Sequence, residues 1–520
     1  MIRISNIRYE ITADEGDLRG YVVKKYALSE VSSFAIAKKS IDARRKSDVH
    51  YVYSVDVCCG NESRCVEKFK NIAPVTYEPY IFPKRGDNTN KPIVVVGFGP
   101  AGMLAALTLA QNGHRVVVLE RGKRVEERRG DVLRLQRDGV LNTESNVQFG
   151  EGGAGAFSDG KLTTGISDRR IRRVLEEFYR HGAPEEILYS AKPHIGTDNL
   201  FGMVKSIRED IISLGGEIRF NTRLCDIEVQ NGAVAAAVTQ TGERIETDAL
   251  ILAAGHSARD VFEMLAAKGA EMERKPFSVG VRIEHKQADI NRVQYGEAAR
   301  YLPAADYKLN VRTADGRGVY TFCMCPGGEV IASASEEGGV VTNGMSLFAR
   351  DGENANAALL VSVEPSDFES DDIMAGVRFQ RDIERRAFKS AGGGYRAMCE
   401  TVGHLFGGEN ISDITPTYKP AAVYGSIEDV LPKFAVDAIR EALPLLDKKL
   451  KGFADENAVM TAPETRSSSP IRILRNPQTL QSNIRGLFPC GEGAGYAGGI
   501  TSAAVDGIKT AEAAAMMKEE

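Results

Sequence analysis

Hydrophobic and polar positions along this chain follow several distinct periods. Ile93–Val96 reads IVVV, and a second apolar run ends at Glu120. Runs without polar alternation predict short strands buried on both faces of a parallel sheet, with a helix between them. From Ile218 to Ala254 the pattern changes to short alternating strands with turns at Asn231–Gly232 and Thr241–Gly242. That stretch closes on an apolar strand, Ala249–Gly255, and a further strand is expected at Pro276–Glu284. Ile373–Lys389 carries Ile373, Val377, Ile383 and Phe388 among its apolar positions and predicts a helix. Val430–Leu450 predicts a helical stretch broken at Pro432 and Pro444. Near the end, Gly486–Cys490 predicts a strand and a helix is expected from Gly499. At the front, Arg3–Ile11 and Val49–Cys58 predict strands, with a helix over Ser29–Ser40 capped by Ser29. The Pro-, Asn- and Gly-rich stretch Tyr77–Pro92 marks a boundary.

The first buried strand leads into Gly97, Gly99 and Gly102 at G-x-G-x-x-G spacing, and Glu120 follows 23 residues after Gly97. Each position has a job in binding a dinucleotide. Gly97 permits the tight turn, Gly99 lets backbone approach a pyrophosphate, and Gly102 lets the helix pack on the strand. The helix N-terminus offers free N–H groups and partial positive charge to phosphate. Glu120 is placed to accept hydrogen bonds from a ribose.

Three later segments extend that reading. Residues 485–507, RGLFPCGEGAGYAGGITSAAVDG, resemble the late segment with which the glutathione reductase and p-hydroxybenzoate hydroxylase families return to their first dinucleotide fold. The resemblance implies FAD, with Glu492 at the acid position that meets the ribityl chain. It also implies a helix N-terminus at Gly499–Thr501 facing the negative charge of reduced flavin. The alternating region resembles the β-meander of FAD-binding folds, which implies adenine contacts near Leu224 and a small-residue turn at Ala254–Gly255. The segment 144–165, ESNVQFGEGGAGAFSDGKLTTG, has six glycines with Phe149, Phe157, Ser158, Asp159 and Lys161. Gly152, Gly153, Ala154 and Gly155 are expected to present backbone N–H groups as an anion nest. Lys161 is expected near the flavin or the substrate. The expected cofactor contacts are therefore Gly97, Gly99, Pro100, Ala101, Gly102, Glu120, Arg121, Gly152, Gly153, Ala154, Gly155, Lys161, Leu224, Ala254, Gly255, Gly491, Glu492, Gly499, Ile500 and Thr501.

GEGGAGAFSDGKL, Thr321–Ser346, Glu464–Asn476 and the C-terminal segment together resemble a bacterial family of uncharacterised FAD-dependent dehydrogenases. A more distant similarity is to geranylgeranyl reductases, whose Y-x-W-x-F-P element is matched imperfectly by Tyr320–Pro326. The resemblance implies an α/β and α+β chain in four segments. A small N-terminal α+β domain spans 1–90, and a Rossmann-type FAD unit with glycine loop and meander spans 91–274. A substrate domain spans 275–475, and the FAD fold is completed over 476–520.

Chemistry beyond the cofactor is less defined. Arg466 and Arg472 are an even number apart, so an extended segment points both to one side, where two guanidiniums would hold a carboxylate or phosphate. Lys161, Arg466 and Arg472 are the catalytic candidates; His404 is a further possible acid. Cys323 and Cys325 are either a thiol pair or packing residues, and Cys490 is expected to pack. Cys58, Cys59 and Cys65 lack zinc spacing with any histidine, so no metal is expected.

Composition narrows the classes. Of 520 residues, 52 are glycine, above the usual share, as backbone approach to a cofactor requires. The 66 basic and 71 acidic residues give a net charge of −5 with signs interspersed, against nucleic-acid binding. No membrane span or signal peptide is expected, and eight cysteines in so long a chain suggest reduced thiols in the cytoplasm. The reading is an FAD-dependent oxidoreductase passing hydride to or from an anionic small molecule, with NAD(P)H as transient reductant. An isoprenoid alkene reductase and a flavin-dependent sensor stay open as alternatives, and so does the oligomeric state.

Overall fold

The computed structural model describes residues 1–83, 91–368 and 370–517; part of the Tyr77–Pro92 boundary therefore lies outside the described residues. The chain opens on β1 (Ile2–Glu10), α1 (Leu18–Tyr26), β2 (Ser33–Asp42), β3 (His50–Cys58), α2 (Glu62–Lys68) and β4 (Ile72–Pro74). Its sheet has the order β2-β3-β1-β4 with antiparallel neighbours, the split βαβ arrangement. Ile4, Ile7, Val55 and Val57 fill its core beneath Leu18 and Val22 of α1. The helix expected at Ser29–Ser40 is a correction: Ser33–Asp42 pairs along β3, and the helix lies earlier, at Leu18–Tyr26. Phe34 and Ile36 alternate with small or polar neighbours, a period of two that ladder pairing selects over helix.

A five-stranded parallel sheet follows, in the order β23-β11-β5-β6-β7. Its strands are β5 (Ile93–Val96), β6 (Val116–Leu119), β7 (Glu217–Arg219), β11 (Leu250–Leu252) and β23 (Leu487–Pro489). All residues of β5, β6, β11 and β23 are buried, as unbroken apolar runs require. Around it lie α3 (Pro100–Gln111), α4 (Val125–Asp138), α5 (Arg170–Arg180), α6 (Thr197–Ser213) and α7 (Arg259–Ala267). The meander is β8 (Leu224–Gln230), β9 (Ala233–Thr239) and β10 (Arg244–Glu246), and its turns fall at the two predicted glycines.

The third unit is a seven-stranded sheet in the order β14-β15-β18-β13-β21-β19-β20. In chain order these are β13 (Phe277–Lys286), β14 (Asn310–Arg312), β15 (Gly318–Cys325), β18 (Asn354–Val363), β19 (Ala397–Thr401), β20 (Ala422–Tyr424) and β21 (Val459–Glu464). Two small ladders, β12 (Met272–Arg274) with β22 (Ile471–Ile473) and β16 (Glu329–Ala332) with β17 (Thr342–Met345), complete the strands. Helices α8 (Gln287–Tyr295), α9 (Ala375–Ser390), α10 (Val402–Leu405) and α11 (Lys433–Asp447) accompany this sheet, and α12 (Ile500–Ala515) ends the chain against α3. Pro432 is the N-cap of α11, as expected of a break, whereas α11 runs through Pro444 without interruption. Packing of Ile439, Leu443 and Leu446 into the core outweighs the backbone hydrogen bond that the proline removes.

β13 is buried along nearly its whole length, and Gly280 lies at its centre beside β18. A Cβ at Gly280 would sit 1.9 Å from the Leu359 carbonyl oxygen. We expect Gly280→Ala to lower stability by about 3 kcal/mol through overpacking. Chemical denaturation of the purified variant checks this, and an unchanged midpoint would contradict it.

Candidate functional site

Three distant stretches meet at the C-terminal ends of β5 and β11. Gly97 has φ +94°, and a Cβ there would lie 2.4 Å from the Ala253 carbonyl oxygen. A Cβ on Gly102 would lie 1.9 Å from the Gly97 oxygen, so only glycine lets α3 sit this close to the turn. The glycine loop crosses directly over that turn: Gly152 N donates to the Phe98 carbonyl at 2.8 Å, and a Cβ on Gly153 would touch Gly99 Cα at 3.0 Å. Gly155 lies between Pro100 and Ile500. From the other end of the chain, Gly491 stands against Ala101, and a Cβ on Gly493 would lie 2.6 Å from the Gly255 carbonyl carbon.

Two helix N-termini therefore open onto one place, α3 at Gly99–Pro100 and α12 at Gly499–Ile500. Their first-turn N–H groups lack acceptors within the helix, and the dipoles add positive charge. A Cβ at Gly99 would meet only Gly153, and Gly498 and Gly499 are exposed with open space where a Cβ would be. This is a cradle that side chains would fill, with two helix N-termini turned towards it. Thr501 Oγ1 donates to the Leu162 carbonyl at 2.8 Å, which ties the segment carrying Lys161 to the start of α12.

Glu120 is buried, and its carboxylate accepts from the backbone N–H groups of Phe98 (2.8 Å), Gly122 (2.9 Å) and Gly150 (2.9 Å). It thus orients both glycine turns, while the oxygen facing Phe98 retains acceptor capacity for a ribose hydroxyl. Arg121 bonds Glu144 and Asp260 and stacks 4.1 Å over Phe149. With Arg223 and Ser257 these residues line a polar cavity of about 290 Å³ beside Leu224, which is buried at the start of β8. Ala254 and Gly255 form the turn after β11, and Glu492 lies 3.5 Å from His256 Nε2. Cys490 is buried and its thiol is pushed up by burial.

The two arginines expected to face one side are held separately. Arg466 Nε and Nη2 bond the buried Glu384 at 3.0 and 2.9 Å, and Nη1 bonds Ser335. Arg259 holds the same carboxylate at 2.9 Å through both terminal nitrogens. Burial alone would raise the Glu384 carboxyl, but the two guanidiniums outweigh it and hold it well below the usual range. Arg472 lies on β22 and pairs with Glu273 at 2.8 Å, leaving its buried Nε without a partner. The parity argument fails because the strand covers only Ile471–Ile473 and does not reach back to Arg466. His404 is paired with the buried Glu400 at 2.5 Å. Among the described residues no cluster has metal-ligand geometry.

Sequence reasoning missed Arg128 on α4, a fully buried guanidinium under the glycine loop. It donates to the carbonyls of Asn146 (2.7 Å), Val147 (2.9 Å), Glu151 (2.6 Å) and Gly153 (2.8 Å) and lies over the Phe157 ring. Burial lowers its pKa to about 10, so it stays charged at neutral pH. Beside it, Glu151 accepts from Val125 N and Arg208, both at 2.7 Å, while its second oxygen is buried without a partner. Burial pushes the Glu151 carboxyl up to about 7.

Arg128→Met would orphan four carbonyls, and we expect a loss on the order of 4 kcal/mol, read by denaturant titration. Glu151 gives a pH prediction of definite sign. Its folded value of about 7 lies above the ordinary 4.5, so its contribution to stability is full below pH 4.5 and is lost as pH rises through 7. Glu151→Gln, neutral throughout, should remove that part of the slope in thermal melts between pH 4 and 8, and an unchanged slope would contradict the assignment.

Residues 91–283 match a family model described as pyridine nucleotide-disulphide oxidoreductase, and residues 276–467 match one described as FAD-dependent protein, C-terminal domain-like. Residues 1–58 match a domain of unknown function. An uncharacterised protein of Clostridium beijerinckii is 47% identical over 98% of this chain and 98% of its own length. An FAD-dependent monooxygenase of Hypoxylon pulicicidum is 27% identical over 42% of this chain and 48% of its own. Among solved structures, the flavin-dependent brominase Bmp2 aligns with 82% of this chain and 78% of its own, at 12% identity and a TM-score of 0.39. The chain belongs to one family with the C. beijerinckii protein, and it is an FAD-dependent oxidoreductase.

Proposed function

We propose that the chain is a reductase in which NADH or NADPH would dock transiently as reductant and Lys161 would hold a small anionic acceptor beside the bound FAD. Bound FAD supplies the two-electron chemistry; the chain supplies position, charge and exclusion of water. The expected cofactor contacts, from the Gly97 turn through Gly152–Gly155 to Gly499–Thr501, are the proposed cradle. The observation that carries the acceptor reading is Lys161. Lys161 is half-buried and, among the described residues, its ammonium has no hydrogen-bond or ion-pair partner, while its backbone bridges to His194. A half-buried cation without a paired carboxylate suits an incoming carboxylate or phosphate. Arg472, with its unpartnered Nε, is the second candidate anchor; Arg466 is saturated by Glu384 and Ser335 and is assigned to support.

No helix among the described residues is long and apolar enough to cross a membrane, which is compatible with the proposed cytoplasmic setting.

The test is anaerobic titration of the reconstituted protein with NADH and NADPH, followed by oxidation with a panel of small carboxylates and phosphates. We expect fast bleaching with one or both nucleotides. Lys161→Ala should slow reoxidation by an anionic acceptor about 100-fold while leaving bleaching intact, and Lys161→Arg should restore part of the rate. A protein that stays colourless, or a flavin that neither nucleotide reduces, would overturn the reading.

A further inference from the structure

Cys323 and Cys325 lie two residues apart on β15, where a regular strand would separate their Cα atoms by roughly 6.6 Å. That is the upper edge of the range of about 4.4–6.8 Å that a disulfide spans. β15 is not regular here. Cys323 has φ +42°, in the left-handed region, and the β15–β18 register slips between Phe322 and Cys325. A residue other than glycine holds such a conformation only where its surroundings impose it. At the kink Cys325 Sγ donates to the Cys323 carbonyl oxygen at 3.3 Å, which holds its sulfur against the Cys323 backbone.

What imposes the kink is Arg282 of β13. Its Nη1 donates to the Cys323 carbonyl at 2.8 Å, and its other bonds run to Glu464, Asn343 and Asn356. The guanidinium is fully buried and saturated, so the carbonyl it grips is fixed. The two sulfurs are unequal. Cys325 is fully buried, whereas Cys323 is half-buried. The adjacent Cys325 thiol, then the charges of Arg282 and Lys161, hold the Cys323 thiol below its ordinary range, while the Cys323 neighbour and burial push Cys325 up. Cys399, buried without such neighbours, is pushed up to about 12. Lys161, whose charge reaches Cys323, precedes the Leu162 carbonyl that Thr501 binds at the start of α12.

We propose that Cys323 and Cys325 form a dithiol–disulfide couple that exchanges two electrons with the flavin, giving the chain a second redox centre. The proposal rests on the flavin reading above. In the oxidising direction the Cys323 thiolate and the Cys325 thiol give up two electrons and one proton, and the S–S bond forms. Oxidised flavin takes up both electrons and that proton. In the reverse direction reduced flavin returns them, the S–S bond breaks, and Cys323 leaves as the thiolate that Arg282 and Lys161 stabilise.

The test uses the flavin-loaded chain, oxidised with diamide and then titrated anaerobically with dithionite. Thiols are mapped in parallel by alkylation and mass spectrometry of the tryptic peptide Gly318–Arg350, which contains these two cysteines and no other. We expect about four electrons per chain for the oxidised wild type and about two for Cys325→Ser at equal flavin content. The peptide from diamide-treated protein should resist alkylation until it is reduced. Two electrons in the wild type, with both cysteines alkylated after diamide, would overturn the couple and leave the flavin reading intact. Absence of bound flavin would overturn that reading, and the electron exchange with it. Peptide mapping on the wild type needs no variant, so misfolding of Cys325→Ser does not blunt the test.

Discussion

The helices that begin at Pro100 and Ile500 touch through their backbones. A Cβ on Gly507 would lie 2.1 Å from the Ala101 carbonyl oxygen, and one on Gly491 would lie 2.8 Å from Ala101 Cβ. Contact this close is possible only between small residues, and it sets both N-termini on the same side of the parallel sheet. The sheet repeats the constraint, since β23 joins β11 and β11 joins β5, all parallel and in register. The chain must therefore leave the flavin unit after the meander, build the seven-stranded sheet, and return. The seven-stranded sheet is thus built between two stretches of chain that one helix pair and two strands hold together.

Buried arginines carry much of what the backbone contacts leave undetermined. Arg128 gathers four carbonyls of the glycine loop, and Arg282 joins β13 to the kink in β15 and to Glu464 on β21. Arg259 at the start of α7 meets Glu384 of α9, which also holds Arg466. Taking such charges out of water costs several kcal/mol each, and they persist only where the donors are satisfied. That condition makes them directional. The Arg259–Glu384–Arg466 set joins α7, beside the parallel sheet, to α9, which packs on the seven-stranded sheet, and its geometry tolerates little sliding between them.

Much of the flavin fold was legible because its signals are local and sterically strict. Gly97 and Gly102 are readable at sequence level because no other residue fits where backbone comes within 2.4 Å of a Cβ. The meander turns and the start of α12 are likewise announced by Asn231–Gly232 and Gly498–Gly499. What stayed hidden depends on partners far along the chain. Arg128 sits in a helix crowded with charge, and its acceptors are carbonyls, which leave no mark in sequence. Glu384 left a faint mark: with Gln380 it lies on the face of α9 that also buries Val377, Ile383 and Ala387. A carboxylate on an apolar face calls for a cation, and Arg466 is that cation. The Ser29–Ser40 segment failed for another reason, since its weak alternation of half-buried residues is decided by pairing with β3.

The two halves of the site use opposite means to position their groups. The proposed cofactor cradle is made of turns that lack side chains, so backbone N–H groups and helix ends would do the holding. The Cys323–Cys325 kink is fixed in a sheet, by an arginine from β13 that also binds Asn356 on β18 and Glu464 on β21. Strain in a left-handed cysteine persists because three strands over-determine it. Lys161 lies between these regimes, on the segment that Thr501 ties to α12 and close enough to lend charge to Cys323.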